Sequence, residues 1–249
     1  MRIAILSDIH GNAVALDAVL ADLAGRGPFQ EIIVAGDLAW SGPRPREVVD
    51  RVRALGAVAI MGNTDAYFVA SSDETPEGKD PGRFELHLGW MREQLGAERE
   101  SYLRHLPFSH RIAAPGAPGN DLLVVHANPR NLEQALMPRA SDAELDRLLL
   151  EEGAEPSWRA LAFGHIHVPY VRTWRGRLLV NVASVGLPMD GDPRAAYAIL
   201  TWAGGAWHAE HHRVLYRTAI VAHEMRTIGL PRGKHFAERL MTATYSGLD

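Results

Sequence analysis

The sequence predicts an α/β fold with parallel strand pairing. Its first third alternates short apolar runs with segments whose apolar residues recur at helical spacing, the pattern of strand-helix-strand units. The balance of 47% hydrophobic to 22% charged residues is that of an ordinary globular protein. At 249 residues the chain is long enough to bury a sizeable core, as one large domain or two small ones. It shows no repeat, low-complexity tract or convincing linker. One domain over residues 1–249 is therefore expected, with a helical extension from about residue 217.

RIAILSD reads as a buried strand beginning almost at Met1. NAVALDAVLADLAG follows, with Val14, Leu16, Ala18, Leu20 and Leu23 at helical spacing, Asn12 as N-cap and Gly25 as stop. EIIVAGD is a second strand, REVVDRVRAL a short helix and AVAIMGN a third strand. Residues 71–82, SSDETPEGKDPG, are polar and rich in breakers, which predicts a surface loop. A helical section over about 84–106 carries Leu86, Trp90 and Leu95 on its apolar side. FSHRIAA and DLLVVHA are strands joined by PGAPGN as a hairpin connection. SDAELDRLLLEEG opens with Ser141 and Glu144 spaced as a capping box. ALAFGHIH, YVRTWRG and RLLVNVAS are further strands, and AAYAILTWAGGAWHAEHHRV is a hairpin turning at Gly204 and Gly205. TAIVAHEMRTIGL places Val221, Met225 and Ile228 on one face of a terminal helix.

Composition excludes several function classes. The net charge of −4 argues against a broad nucleic-acid or anionic-membrane surface. An anionic substrate would have to be attracted locally, and bound divalent ions supply such a field. No apolar stretch approaches the roughly 18 to 20 residues of a membrane helix. The N-terminus lacks the succession of features of a signal peptide, so a cytoplasmic location is expected. Cysteine is absent, so no disulfide framework exists and any metal must take nitrogen and oxygen ligands.

Five apolar runs end in side chains able to bind a metal: AILSDIH in Asp8 and His10, IIVAGD in Asp37, VAIMGN in Asn63, LLVVHAN in His126, and LAFGHIH in His165 and His167. In open α/β sheets the carboxyl ends of the strands form the ligand crevice, so these seven side chains are expected to converge. Asp8 and His10, two residues apart, would share one face of their strand end. Each piece alone has a plainer reading. Asp8 and His10 could be a cap and a surface histidine, Asp37 and Asn63 turn residues, and His126 a satisfied core histidine. The plain readings together require five coincidences at the same end of five strands.

In this order and strand context, Asp8-Ile9-His10, Gly36-Asp37, Gly62-Asn63-Thr64-Asp65, His126 and Gly164-His165-Ile166-His167 resemble the motifs of the calcineurin-like metallophosphoesterases. The resemblance runs from residue 1 to about 192. GDLAWSGP and NVASVGLPMDGDPRAAYAIL add to it, and bring the chain closest to the compact bacterial branch with its small phosphodiesterases. It implies a four-layer α-β-β-α sandwich of two mixed sheets flanked by helices. It further implies two divalent transition-metal ions (Mn, Fe, Ni, Co or Zn), the first held by Asp8, His10, Asp37 and His167. The second would be held by Asp37, Asn63, His126 and His165, with Asp37 bridging. Asn63 and Asp65 would be catalytic residues. A metal-activated hydroxide would attack a phosphate-ester small molecule or a nucleotide, more readily a phosphodiester than a monoester. The alternatives are a phosphomonoesterase or protein phosphatase on the same site, or a non-catalytic metal-binding scaffold.

Thr64 departs from the pattern, since many relatives carry histidine there, and threonine has no group that titrates near neutral pH. His87 and His105 are candidates for the missing acid. Asn12 and Asn128 are candidate substrate-binding donors, against the plainer roles of helix cap and turn former. Arg44 and Arg130 lie beside motif residues as candidate anion contacts, against the default of an exposed arginine.

Overall fold

The computed structural model describes residues 1–69, 75–150 and 154–244. Two five-stranded mixed sheets stack face to face. The first comprises β1 (Arg2–Leu6), β2 (Glu31–Val34), β3 (Val58–Ala59), β9 (Ala195–Ala203) and β10 (Ala206–Val214), in the order β10-β9-β1-β2-β3. The second comprises β4 (Ser109–Ile112), β5 (Asp121–Val125), β6 (Trp158–Phe163), β7 (Tyr170–Trp174) and β8 (Arg177–Asn181), in the order β4-β5-β6-β8-β7. β1, β2 and β3 are parallel, as are β5, β6 and β8, while β4, β7, β9 and β10 run antiparallel to their neighbours.

The period-2 alternation of strand side chains builds the layers. Ile3, Ile5 and Ile33 face Leu122, Val124, Ala160, Ala162 and Val180 between the sheets. The alternate residues Ala4, Leu6 and Val34 turn outward under three helices, α1 (Ala13–Arg26), α2 (Pro45–Leu55) and α4 (Pro81–Arg104). On the far side Leu123, Val125, Leu161 and Phe163 pack beneath α5 (Asp142–Leu149). This is the expected four-layer sandwich. A short α3 (Asn63–Ala66) follows β3. α6 (Thr218–Thr227) and α7 (Gly233–Thr242) bury Val221, Met225, Phe236 and Leu240 against Leu187 and Met189.

Several local expectations need correction. α1 runs past Gly25 and is capped at Gly27, because an isolated glycine inside a helix costs only about 1 kcal/mol relative to alanine. Of the loop expected over 71–82, residues 71–74 lie outside the described residues. Pro81 and Gly82 already belong to α4, which Asp80 caps by accepting from the Arg83 amide. α4 breaks at Gly96, whose φ of 71° is not helical, and its inner face is Phe84, His87, Leu88, Met91 and Leu95. Leu86 points to solvent, 66% exposed. The capping box of Ser141 and Glu144 forms as expected, with the last residues of that segment, 151–153, outside the described set. The C-terminal segment is two helices rather than one, since α6 ends at Thr227 with the exposed Ile228 as its C-cap. Among the described residues no helix is long and apolar enough to cross a membrane.

Candidate metal centre

The C-terminal ends of β1, β2, β3, β5 and β6 meet along one edge of the sandwich, and there the seven donors come together. Backbone bonds lace the loops. The Asp8 and His10 amides donate to the Gly36 and Asp37 carbonyls at 3.0 Å each, and the Gly164 amide donates to the His126 carbonyl at 2.9 Å. Asp8 Oδ2 accepts from the His165 amide at 3.0 Å, which ties the two sheets across the site.

The proximity of Asp8 and His10 does not come from strand alternation, because β1 ends at Leu6. Both residues have left-handed backbones, φ 54° and 50°, as do Asp37, His165 and His167 at 56°, 70° and 59°. Left-handed non-glycine residues cost energy, on the order of 1–3 kcal/mol each, and cluster at functional sites.

The donors divide into two groups that share Asp37. Around its Oδ2 lie His10 Nε2 at 3.6 Å, and beyond it Asp8 Oδ1 and His167 Nε2, 3.2 Å from each other and 3.8 and 3.1 Å from His10 Nε2. Around its Oδ1 lies His126 Nε2 at 3.6 Å, which is 2.9 Å from Asn63 Oδ1 and 3.3 Å from His165 Nδ1.

Every histidine is held in the tautomer a cation requires. His10, His126 and His167 place Nδ1 against the carbonyls of Trp40, Ala35 and Leu187 at 2.9, 2.8 and 2.6 Å, and His165 places Nε2 against that of Glu133 at 2.9 Å. A carbonyl only accepts, so each of these nitrogens carries the proton and the other presents its lone pair to the cluster. Asn63 Nδ2 donates to Glu133 Oε2 at 3.3 Å, which turns its carbonyl oxygen inward.

Asp8 and Asp37 are almost fully buried, and among the described residues only histidines pair with them. Asp8 Oδ1 makes no hydrogen bond of acceptable geometry, although His167 Nε2 is near. Burial alone would push the Asp8 carboxyl up, but His167, His126 and His10 hold it well below the usual carboxylate range. Burial drives the His10 imidazole down to about 4, and burial with His126 lowers His165, so both are neutral ligands near pH 7. His126 is raised despite its burial, by Asp37 and Asp8. Two buried carboxylates with no lysine or arginine paired to them, and four imidazoles aimed at them, form a donor set that divalent ions fit.

Three residues expected at the reacting centre are engaged elsewhere. Asp65 is fully buried, with its oxygens accepting from the amides of Asp37 (2.7 Å), Gly62 (3.0 Å) and Leu38 (3.1 Å). It positions the β2 and β3 loops and does not face the cleft. Asn12 is the α1 cap, accepting from the Ala15 amide, and its amide donates to the Gly186 carbonyl. Asn128 accepts from the Arg130 and Asn131 amides and donates to the Gln134 carbonyl, a local turn. Arg44 forks onto Glu224 and Arg130 onto the Leu150 carbonyl, so neither is at the cluster. His105 bonds back to Ser101 in its own helix, whereas His87 lines the cleft. That cleft, of about 430 Å³, opens over His10, Asp37, Asn63, Thr64, His165 and His167.

The family model of the calcineurin-like phosphoesterase superfamily domain matches residues 1–205. The chain belongs to this superfamily. As a calcineurin-like phosphoesterase it is a metal-dependent hydrolase. It is 30% identical over 215 residues to an uncharacterized protein of Methanocaldococcus jannaschii, covering 79% of this chain and 81% of that one. A metallophosphoesterase crystal structure from Sphaerobacter thermophilus superposes with a TM-score of 0.74 at 33% identity, over 98% of this chain and all of that one. A symmetrical bis(5'-nucleosyl)-tetraphosphatase of Acidovorax sp. (strain JS42) is 30% identical over 129 residues, 51% of this phosphoesterase and 44% of the relative.

Proposed function

We propose that the centre is dinuclear and that the enzyme hydrolyses phosphodiesters of small molecules, nucleotides among them. The observation that carries this reading is that the two carboxylate oxygens of Asp37 face different donors, Oδ2 lying 3.6 Å from His10 Nε2 and Oδ1 3.6 Å from His126 Nε2. In the proposal Asp8, His10, Asp37 and His167 hold one ion, and Asp37, Asn63, His126 and His165 the other. Two such ions lower the pKa of water and neutralise charge on the phosphoryl oxygens.

The chain's own residues supply the rest. The four carbonyl-bound histidines keep their ligand tautomers without rearrangement. Asp65 and the Thr64 amide, which donates to Asp37 Oδ1 at 2.9 Å, fix the bridging carboxylate. The cleft admits a small ester more readily than a folded protein, which disfavours the protein-phosphatase reading. Thr64 lines the cleft and cannot protonate a leaving group, which favours esters whose leaving groups need little help. The partial likeness to a bis(5'-nucleosyl)-tetraphosphatase supports nucleotide esters as substrates.

The test strips the protein of metal, reloads it with Mn²⁺ and measures bound metal and turnover of an activated aryl phosphodiester and its matching monoester. Two ions per chain and faster diester cleavage are expected. Asp37→Asn should hold at most one ion and lose on the order of 10³-fold or more in turnover, in the range of other groups that stabilise transition-state charge. A fully loaded, active Asp37→Asn protein would refute the bridging assignment.

A further inference from the structure

Apart from Trp40, which lies in the β2 loop that carries Asp37, the wall of the cleft is built by elements distinct from the strand ends. One side is aromatic: the Trp40 ring lies 4.3 Å from His87 at an interplanar angle of 30° and 5.7 Å from Phe84, and Phe236 meets His87 edge-on at 5.5 Å. Lys79, Arg83, Arg232 and Arg239 line the same cleft, against Asp80 as the one carboxylate outside the donor cluster among its described lining residues. This cationic rim belongs to a chain whose net charge is −4, so it is a local feature and not a consequence of composition. Arg83, Phe84 and His87 lie in the first turns of α4 with Lys79 just before it, Phe236 and Arg239 lie in α7 with Arg232 as its N-cap, and Trp40 lies in the loop after β2; α7 lies beyond residue 205, where the match to the family model ends.

We propose that α7 and the start of α4 form a recognition subsite for a planar ring carrying a second anionic group, the chemistry of a nucleoside oligophosphate. The inference rests on the phosphoesterase reading of the donor cluster and adds what the substrate must carry beyond the reacting phosphate. Aromatic walls favour a flat ring by stacking or edge contacts. Arginines hold phosphate oxygens through charge-assisted bonds. A volume of about 430 Å³ suits one nucleotide and not an extended polymer.

The test uses the full chain loaded with Mn²⁺ and reads competitive inhibition of aryl phosphodiester cleavage by ADP, pyrophosphate and adenosine. ADP should inhibit at least tenfold more tightly than either fragment. Phe236→Leu should weaken ADP about tenfold with little effect on pyrophosphate. Lys79→Gln/Arg83→Gln, a pair of exposed positions whose replacement spares the core, should weaken both anions and leave adenosine unchanged. ADP binding no better than pyrophosphate, or insensitive to these substitutions, overturns the subsite. If the intact loaded protein does not cleave the ester at all, the phosphoesterase reading fails instead. Calorimetric binding of the same three compounds to the same variants then decides the subsite by the same ratios.

Discussion

Thr64 stands where the resemblance predicts a histidine, and its surroundings say what a threonine does there. It is 8% exposed, lines the cleft, and its hydroxyl has no hydrogen-bond partner. A histidine placed there would reach the cleft. Thr64→His should therefore raise the rate for poor leaving groups, within the roughly 10²- to 10⁴-fold that general-acid help supplies, and change activated aryl esters little. Equal effects on both substrates would show that no acid is missing. His87 offers a second prediction at this scale. Burial, then the nearby Arg232, lowers its imidazole from 6.5 to about 4. In the unfolded chain it binds a proton as pH falls below about 6.5, while in the folded chain it stays neutral until about 4. The stability it allows is thus fully present above pH 6.5 and lost as pH falls toward 4, by roughly 3 kcal/mol at the lower limit. His87→Phe, placed among Trp40, Phe84 and Phe236, should flatten the fall of the unfolding midpoint between pH 6.5 and 4 in metal-loaded protein. An unchanged slope would mean the imidazole is protonated in the fold.

At the scale of elements, the site depends on close passage of the strand-end loops. A Cβ at Gly164 would overlap Ser7 Oγ and Asp8 Oδ2, and one at Gly62 would overlap Asp37 Oδ1. These glycines let the β6 and β3 loops press against the carboxylates. Gly164→Ala should displace Asp8, cost about 1–3 kcal/mol in denaturant unfolding as overpacking does, and lower metal content. Two bound ions and normal turnover in this variant would show that the loops can give way. Such elements also mark what could be read from the sequence. The donors could, because each follows directly on an apolar run, so chain position alone put them at strand ends. The left-handed backbones of Asp8 and His10 could not, since an acid and an imidazole spaced by two fit a strand face equally well. Asn12 and Asn128 had plainer local roles as cap and turn, and those roles consume their amides. The aromatic wall escaped because it joins α4 to α7 across the fold. Its local signal was Phe236, Ala237 and Leu240 at helical spacing after Pro231, the mark of a second helix beyond TAIVAHEMRTIGL.

At the scale of the whole molecule, the centre lies on the seam between the two sheets. Asp8, His10, Asp37 and Asn63 follow strands of the first sheet, and His126, His165 and His167 follow strands of the second. In the proposed assignment each ion takes donors from both, so each ion is a cross-link added to the apolar packing and to the hydrogen bonds that join the layers here, among them His165 to Asp8 and His126 to the Ala35 carbonyl. An ion that binds only the folded chain stabilises it by RT ln(1 + [L]/Kd), about 2.7 kcal/mol for each site at a hundredfold excess over Kd. For a chain of this size 1 kcal/mol moves the melting temperature by about 2–4 °C, so two sites filled to that degree should raise it by about 10–20 °C. Chelation should reverse the rise, and Asp37→Asn should lose most of it, because both sites share that carboxylate. The variant's metal-free melting temperature separates this from plain damage. Removing one of two buried carboxylates that no lysine or arginine pairs should leave that value equal to or above the metal-free parent's, so a variant less stable without metal and still raised by it in full would place the ions elsewhere than on the seam.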